Sequence, residues 1–104
     1  MHFEIQVEER DDAVRIRVLG DLDLASVPAL ERTLTDVEAT DAKALVLDLD
    51  GLDFIDSTGL RAVIEADMRS RADGGRMTIT RGSPQVQRLF ELVGADRRLR
   101  FAST

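Results

Sequence analysis

Cysteine, tryptophan and tyrosine are absent from this 104-residue chain. Without cysteine there is no disulfide, no thiol nucleophile and no thiolate-held metal, which fits a reducing compartment. Lys43 is the only lysine, so mechanisms that need a lysine elsewhere, such as a phosphate-binding loop or a Schiff base, are excluded. His2 is the only histidine. Its place at the terminus leaves a Ser-His-Asp triad without a credible base. Long apolar runs are missing too: none approaches the ~20 residues of a membrane span. The start Met1-His2-Phe3-Glu4 lacks the basic and apolar regions of a signal peptide, so a cytoplasmic location is expected. Positive charge is in deficit, with a net charge of −6. That balance opposes generic binding to nucleic acid or anionic membrane, and protein partners are expected instead. The aromatics are Phe3, Phe54, Phe90 and Phe101, which at apolar positions are expected in the core.

What is present suits one domain spanning residues 1–104, since 43% hydrophobic content over this length supports one core. Phe3, Ile5 and Val7 alternate with polar residues, as do Val14, Ile16 and Val18, and Glu8 to Asp12 separates the runs. This predicts two strands joined by a hairpin. Ser26 and Pro28 open a helix whose Val27, Leu30, Leu34 and Val37 share one face. Ala44 to Leu47 reads as a strand covered on both sides. Leu60, Val63, Ile64 and Met68 follow at helical spacing up to a stop at Asp73-Gly74-Gly75. Met77 and Ile79 form a further strand. Ser83-Pro84 opens a helix carrying Val86, Leu89, Phe90 and Val93 that ends at Gly94, and Leu99 and Phe101 suggest a closing strand. Helices alternating with strands require crossovers. The predicted fold is therefore α/β, a mixed and mainly parallel sheet with an N-terminal antiparallel hairpin, backed by helices.

The most informative stretch runs from the apolar strand Leu45 to Leu49 through an acidic turn into Asp56-Ser57-Thr58-Gly59-Leu60. With Asp56 as cap, Ser57 becomes the first helical residue, its side chain out toward solvent where backbone N–H groups and the helix dipole favour an anion. Capping chemistry alone explains Asp-Ser-Thr-Gly equally well. Gly59, however, costs roughly 1 kcal/mol of helix propensity, and its presence suggests a backbone open to another molecule. A metal reading of Asp48, Asp50, Asp53 and Asp56 is weaker than solvated turn charge. A phosphoaspartate receiver built on Asp50 lacks a lysine at a late strand, because Lys43 precedes the wrong one. The cluster Arg97-Arg98-Leu99-Arg100 reads as a solvated face or helix-end charge.

Gly20-Asp21-Leu22-Asp23, the strand Leu45 to Leu49 and Phe54-Ile55-Asp56-Ser57-Thr58-Gly59-Leu60 together resemble the signature of the STAS domain, specifically that of bacterial anti-sigma factor antagonists. The resemblance spans nearly the whole chain and implies a curved sheet backed by helices. It also implies a protein, not an enzyme, that in its unphosphorylated form binds an anti-sigma factor and frees a sigma factor. Phosphorylation of Ser57 by the anti-sigma factor acting as serine kinase would break that association, and a separate serine phosphatase would restore it. Thr58 stands where the family often has serine and is a second candidate acceptor. Asp21 and Asp23 are placed by the resemblance beside Ser57, with turn chemistry as their alternative reading. The expected partner-binding set is Asp21, Asp23, Asp56, Ser57, Thr58, Gly59 and Leu60. No metal, cofactor, catalytic residue or direct nucleic-acid contact is expected. STAS domains also serve as sensor or scaffold modules and as small subunits of lipid-transport systems, which is the alternative role.

Overall fold

Period-2 burial along the strands organises the molecule. In the computed structural model, which describes residues 2–102, strand β1 (Phe3–Arg10) and strand β2 (Ala13–Leu22) pair antiparallel. Helix α1 (Val27–Glu38) crosses to strand β3 (Ala44–Ile55), and helix α2 (Ser57–Ala72) crosses to strand β4 (Met77–Ile79). Helix α3 (Pro84–Leu92) and a single 3₁₀ turn (Ala95–Arg97) follow. The four-stranded sheet has the order β1-β2-β3-β4, with β2, β3 and β4 mutually parallel. The mixed α/β architecture expected from the pattern is the one observed.

Val14 and Ile16 of β2 lie level with Leu45 and Leu47 of β3, Met77 and Ile79 of β4 continue the row, and Val18 follows at a register shift. All are buried. The buried face of α1 (Val27, Leu30, Leu34, Val37), with Val63 and Ala66 of α2 and Val86 and Phe90 of α3, completes the core. Burial of such side chains contributes about 1.5–3 kcal/mol each. The alternating positions of the sheet include Arg15, Arg17 and Asp48, and here one expectation fails. Asp48 is not solvated turn charge: it is 7% exposed, held by Arg15 at 2.7 Å and Arg17 at 3.8 Å. Its other oxygen accepts the Asp50 N–H at 2.9 Å and the Thr80 hydroxyl at 3.3 Å. The acidic stretch is therefore strand, not turn, because β3 continues to Ile55 alongside β2 through register shifts at Arg17/Leu19 and Gly20/Asp21. These irregularities let the paired strands bend and overshoot the rest of the sheet. Gly20 permits part of that path, with φ +88° and the His2 carbonyl oxygen where a Cβ would stand.

Helix α2 departs from the apolar face read from its spacing. Met68 is 56% exposed, and Asp67 and Ser70 are buried in its stead. The polar pair is satisfied: Asp67 pairs with Arg71 at 2.8 Å and accepts the Arg100 N–H at 3.2 Å, while Ser70 Oγ accepts the Met77 N–H at 3.0 Å. Val93 is likewise exposed, as the C-cap of α3. The expected closing strand reduces to one parallel bridge between Ile79 and Phe101. Phe101 meets the Phe90 ring edge-on at 5.9 Å.

Candidate functional site at the start of helix α2

Because β3 overshoots β4, its last residues deliver α2 at one end of the sheet, beside the end of β2. Asp56 joins the elements there. Its backbone is extended (φ −99°, ψ −176°), and its Oδ1 accepts the Gly59 N–H at 2.8 Å, a side-chain N-cap as the sequence suggests. Its Oδ2 accepts the Leu24 N–H at 3.2 Å, and its own N–H donates to the Leu22 carbonyl at 3.2 Å. One carboxylate thus fixes both the helix start and the β2–α1 loop. Asp56→Ala is expected to lower stability by about 1–2 kcal/mol through loss of the cap. Urea unfolding would show this as a lower midpoint at unchanged slope, and an unchanged midpoint would contradict it.

Ser57 follows as the first residue of α2 and is exposed; Thr58 is half-buried. Among the described residues, the Asp56 and Gly59 N–H groups are taken, and those of Ser57 and Thr58 have no acceptor. These open donors sit at the positive end of the helix dipole, where added phosphate oxygens would be well accommodated. The Ser57 hydroxyl stands at the surface, and no side-chain hydrogen bond reaches it among the described residues.

Gly59 serves a different purpose from the one read in the sequence. It is buried, and a Cβ on it would lie 2.5 Å from the Leu22 carbonyl oxygen and 2.9 Å from Leu22 Cγ. The molecule approached at this glycine is the chain itself, at the end of β2. Leu60 is also buried, at 7% exposure. Gly59 and Leu60 therefore support the surface from beneath rather than forming it.

Asp21 and Asp23 are half-buried in the adjoining loop. Asp23 Oδ1 accepts the N–H groups of Ala25 and Ser26, each at 3.1 Å, so turn chemistry occupies that oxygen. The Ser26 hydroxyl closes the loop by donating to the Asp21 carbonyl at 2.8 Å. Asp50 and Asp53 are exposed on the same overshooting stretch of β3. Asp21, Asp23, Asp50, Asp53 and Asp56 enter no salt bridge among the described residues. The end of the molecule that displays Ser57 thus carries five carboxylates that form no ion pair among the described residues. Among the described residues, no group of His, Cys, Asp and Glu is arranged to hold a metal ion.

Sequence reasoning missed Leu24 (73% exposed) and Phe54 (49% exposed), both on this surface. Phe54 was expected in the core. The signal was available in the strand period: Ile55 points inward, so Phe54 must point the other way. No helix is long and apolar enough to cross a membrane among the described residues.

Comparison with known proteins gives consistent results. The family model described as STAS domain matches residues 4–104. The anti-sigma-B factor antagonist of Listeria monocytogenes serovar 1/2a is 30% identical over 95 residues, covering 90% of this chain and 83% of that protein. The anti-sigma-B factor antagonist of Staphylococcus aureus is 28% identical over 94 residues, covering 90% of this chain and 87% of that protein. The crystal structure of an anti-sigma factor antagonist from Mycobacterium paratuberculosis superposes with a TM-score of 0.85 at 26% identity, covering 99% of this chain and 87% of that one.

Proposed function

Since the chain belongs to the STAS domain family, we propose that it is an anti-sigma factor antagonist: a regulatory binding protein of the bacterial cytoplasm, not an enzyme, working as a single domain switched at Ser57. Its relatives at up to 30% identity carry the antagonist name, and the single observation that carries the switch is the exposed Ser57 hydroxyl at the capped start of α2. In the unphosphorylated form, Asp21, Asp23, Asp56, Ser57 and Thr58 face the anti-sigma factor, and occupation of that protein frees the sigma factor it held.

The switch is a phosphoryl transfer from ATP bound to the anti-sigma factor. The Ser57 Oγ–phosphorus bond forms, the bond from the γ-phosphorus to the bridging oxygen breaks, ADP leaves, and the hydroxyl proton passes to a base on the kinase. The product carries roughly −1.5 to −2 additional charges. On rebinding to an ATP-loaded partner, this phosphate would face the nucleotide's own phosphates. The resulting repulsion and desolvation lower affinity, while the open N–H groups of Ser57 and Thr58 leave the antagonist's own fold undisturbed. A serine phosphatase resets the system by hydrolysis.

The direct test adds the purified chain to a complex of anti-sigma factor and sigma factor from the bacterium that encodes it, with ADP present so that no transfer occurs. Release of sigma factor approaching one equivalent per chain is expected. Retention of sigma factor by every such complex would contradict the antagonist role.

A further inference from the structure

Beside Ser57 lies a feature that the motif residues do not include. At the end of β3, Asp53, Phe54 and Ile55 meet Gln85, Val86 and Leu89 of α3 around a groove of about 280 Å³. Val86 and Ile55 form its buried floor, and Phe54 and Leu89, at 49% and 36% exposure, form its walls. The groove adjoins Ser57 along the chain, and Leu24 is pinned to the same helix start through Asp56. Exposed apolar walls of this kind mark interaction surfaces when they are contiguous and rimmed by polar groups. Here the one charged residue of the lining is acidic. Asp53 lines the groove, Asp50 precedes it with its carboxylate on the Gly82 N–H at 3.2 Å, and neither meets a cation among the described residues.

We propose that this groove is an anchor site for the anti-sigma factor, which inserts an apolar side chain between Phe54 and Leu89 from a surface whose Lys or Arg residues face Asp50 and Asp53. The inference rests on the antagonist reading and extends its interface from the start of α2 onto α3. Charge complementarity selects the occupant. A basic surface is attracted to the acidic rim, whereas a second copy of this chain, seated on its own groove by a two-fold axis, would oppose carboxylate to carboxylate. A buried apolar anchor ringed by polar contacts is also how protein interfaces concentrate their affinity.

The experiment titrates the anti-sigma factors of the encoding bacterium with the wild-type chain and with Leu89→Glu, Asp53→Lys and Leu92→Glu, after thermal melting has confirmed that each variant is folded. Leu92 is 74% exposed and lies outside the groove, which makes it the control. Leu89→Glu and Asp53→Lys are expected to weaken binding about tenfold or more, with Leu92→Glu within about twofold of wild type. Asp53→Lys alters an exposed side chain and so tests the rim even if Leu89→Glu fails to fold. If all variants bind as the wild type does, the groove inference is overturned and the antagonist reading stands. If the wild-type chain binds no anti-sigma factor, both are overturned. Sedimentation revealing a wild-type dimer that Leu89→Glu dissolves would assign the groove to self-association and overturn the inference.

Discussion

Phosphorylation of Ser57 is expected to weaken binding to the anti-sigma factor by roughly two to three powers of ten, from a few kcal/mol of repulsion and desolvation at about 1.4 kcal/mol per tenfold change. Ser57→Asp should weaken it in the same direction but less, because a carboxylate brings one charge and a shorter reach than a phosphate. Ser57→Ala should bind as the wild type does and no longer respond to the kinase. These signs follow from where the residue sits. Ser57 is exposed and begins a helix whose cap is supplied by Asp56, so neither substitution removes a core contact or a capping hydrogen bond. A titration of the anti-sigma factor with both variants decides the matter, and equal affinities would remove the mechanism.

Gly59→Ala is expected to destabilise the fold by about 2 kcal/mol, the opposite of its effect in an open helix. Helix propensity favours alanine by roughly 1 kcal/mol. Against this stands a Cβ placed 2.5 Å from the Leu22 carbonyl oxygen, an oxygen held by the Asp56 N–H at 3.2 Å. Relieving the overlap moves the end of β2 away from α2 and breaks that hydrogen bond. Overpacking of this kind costs typically 1–3 kcal/mol, and the loss of a backbone hydrogen bond adds about 1 kcal/mol, so the clash wins. For a chain of this length the net change corresponds to a melting temperature lower by about 10 °C. A calorimetric scan showing Gly59→Ala to be as stable as wild type would mean that the strand end and helix start are not in contact as described.

The two substitutions bear on different levels of the same site. Ser57 is displayed and alters how another protein docks; Gly59 is hidden and fixes where the display stands. An assay of binding alone would confuse them, since a variant that displaces α2 also loses affinity. Measuring stability alongside affinity separates the roles.

Much of this was legible in the residues. The alternation of Val14, Ile16 and Val18 and the helical spacing of Val27, Leu30, Leu34 and Val37 report burial directly, and all of these residues are buried. Asp56 as N-cap follows from local chemistry, because a short carboxylate one residue before a helix accepts an N–H of the first turn. Apart from Phe54, whose outward direction the strand period carries, the misreadings depended on contacts between distant segments. Asp48 looked like turn charge because Arg15 and Arg17 reach it from another strand. Met68 stands for Asp67 on the inner face of α2 when hydrophobicity alone sets that face, whereas Asp67 is held there by Arg71 and the backbone of Arg100. Gly59 suggested access by a partner because nothing local reveals that Leu22 fills the space. The groove of Phe54 and Leu89 joins residues 35 positions apart in sequence and has no local signature at all.

The switch turns on a hydroxyl that a kinase can reach and modify without disturbing the structure below it. Incubating the chain with its anti-sigma factor and ATP, then locating the added phosphate by tandem mass spectrometry, tests this most directly. One phosphate per chain is expected, on Ser57, with none in the Ser57→Ala variant. A phosphate placed on another residue of the wild-type chain, with Ser57 left unmodified, would contradict it.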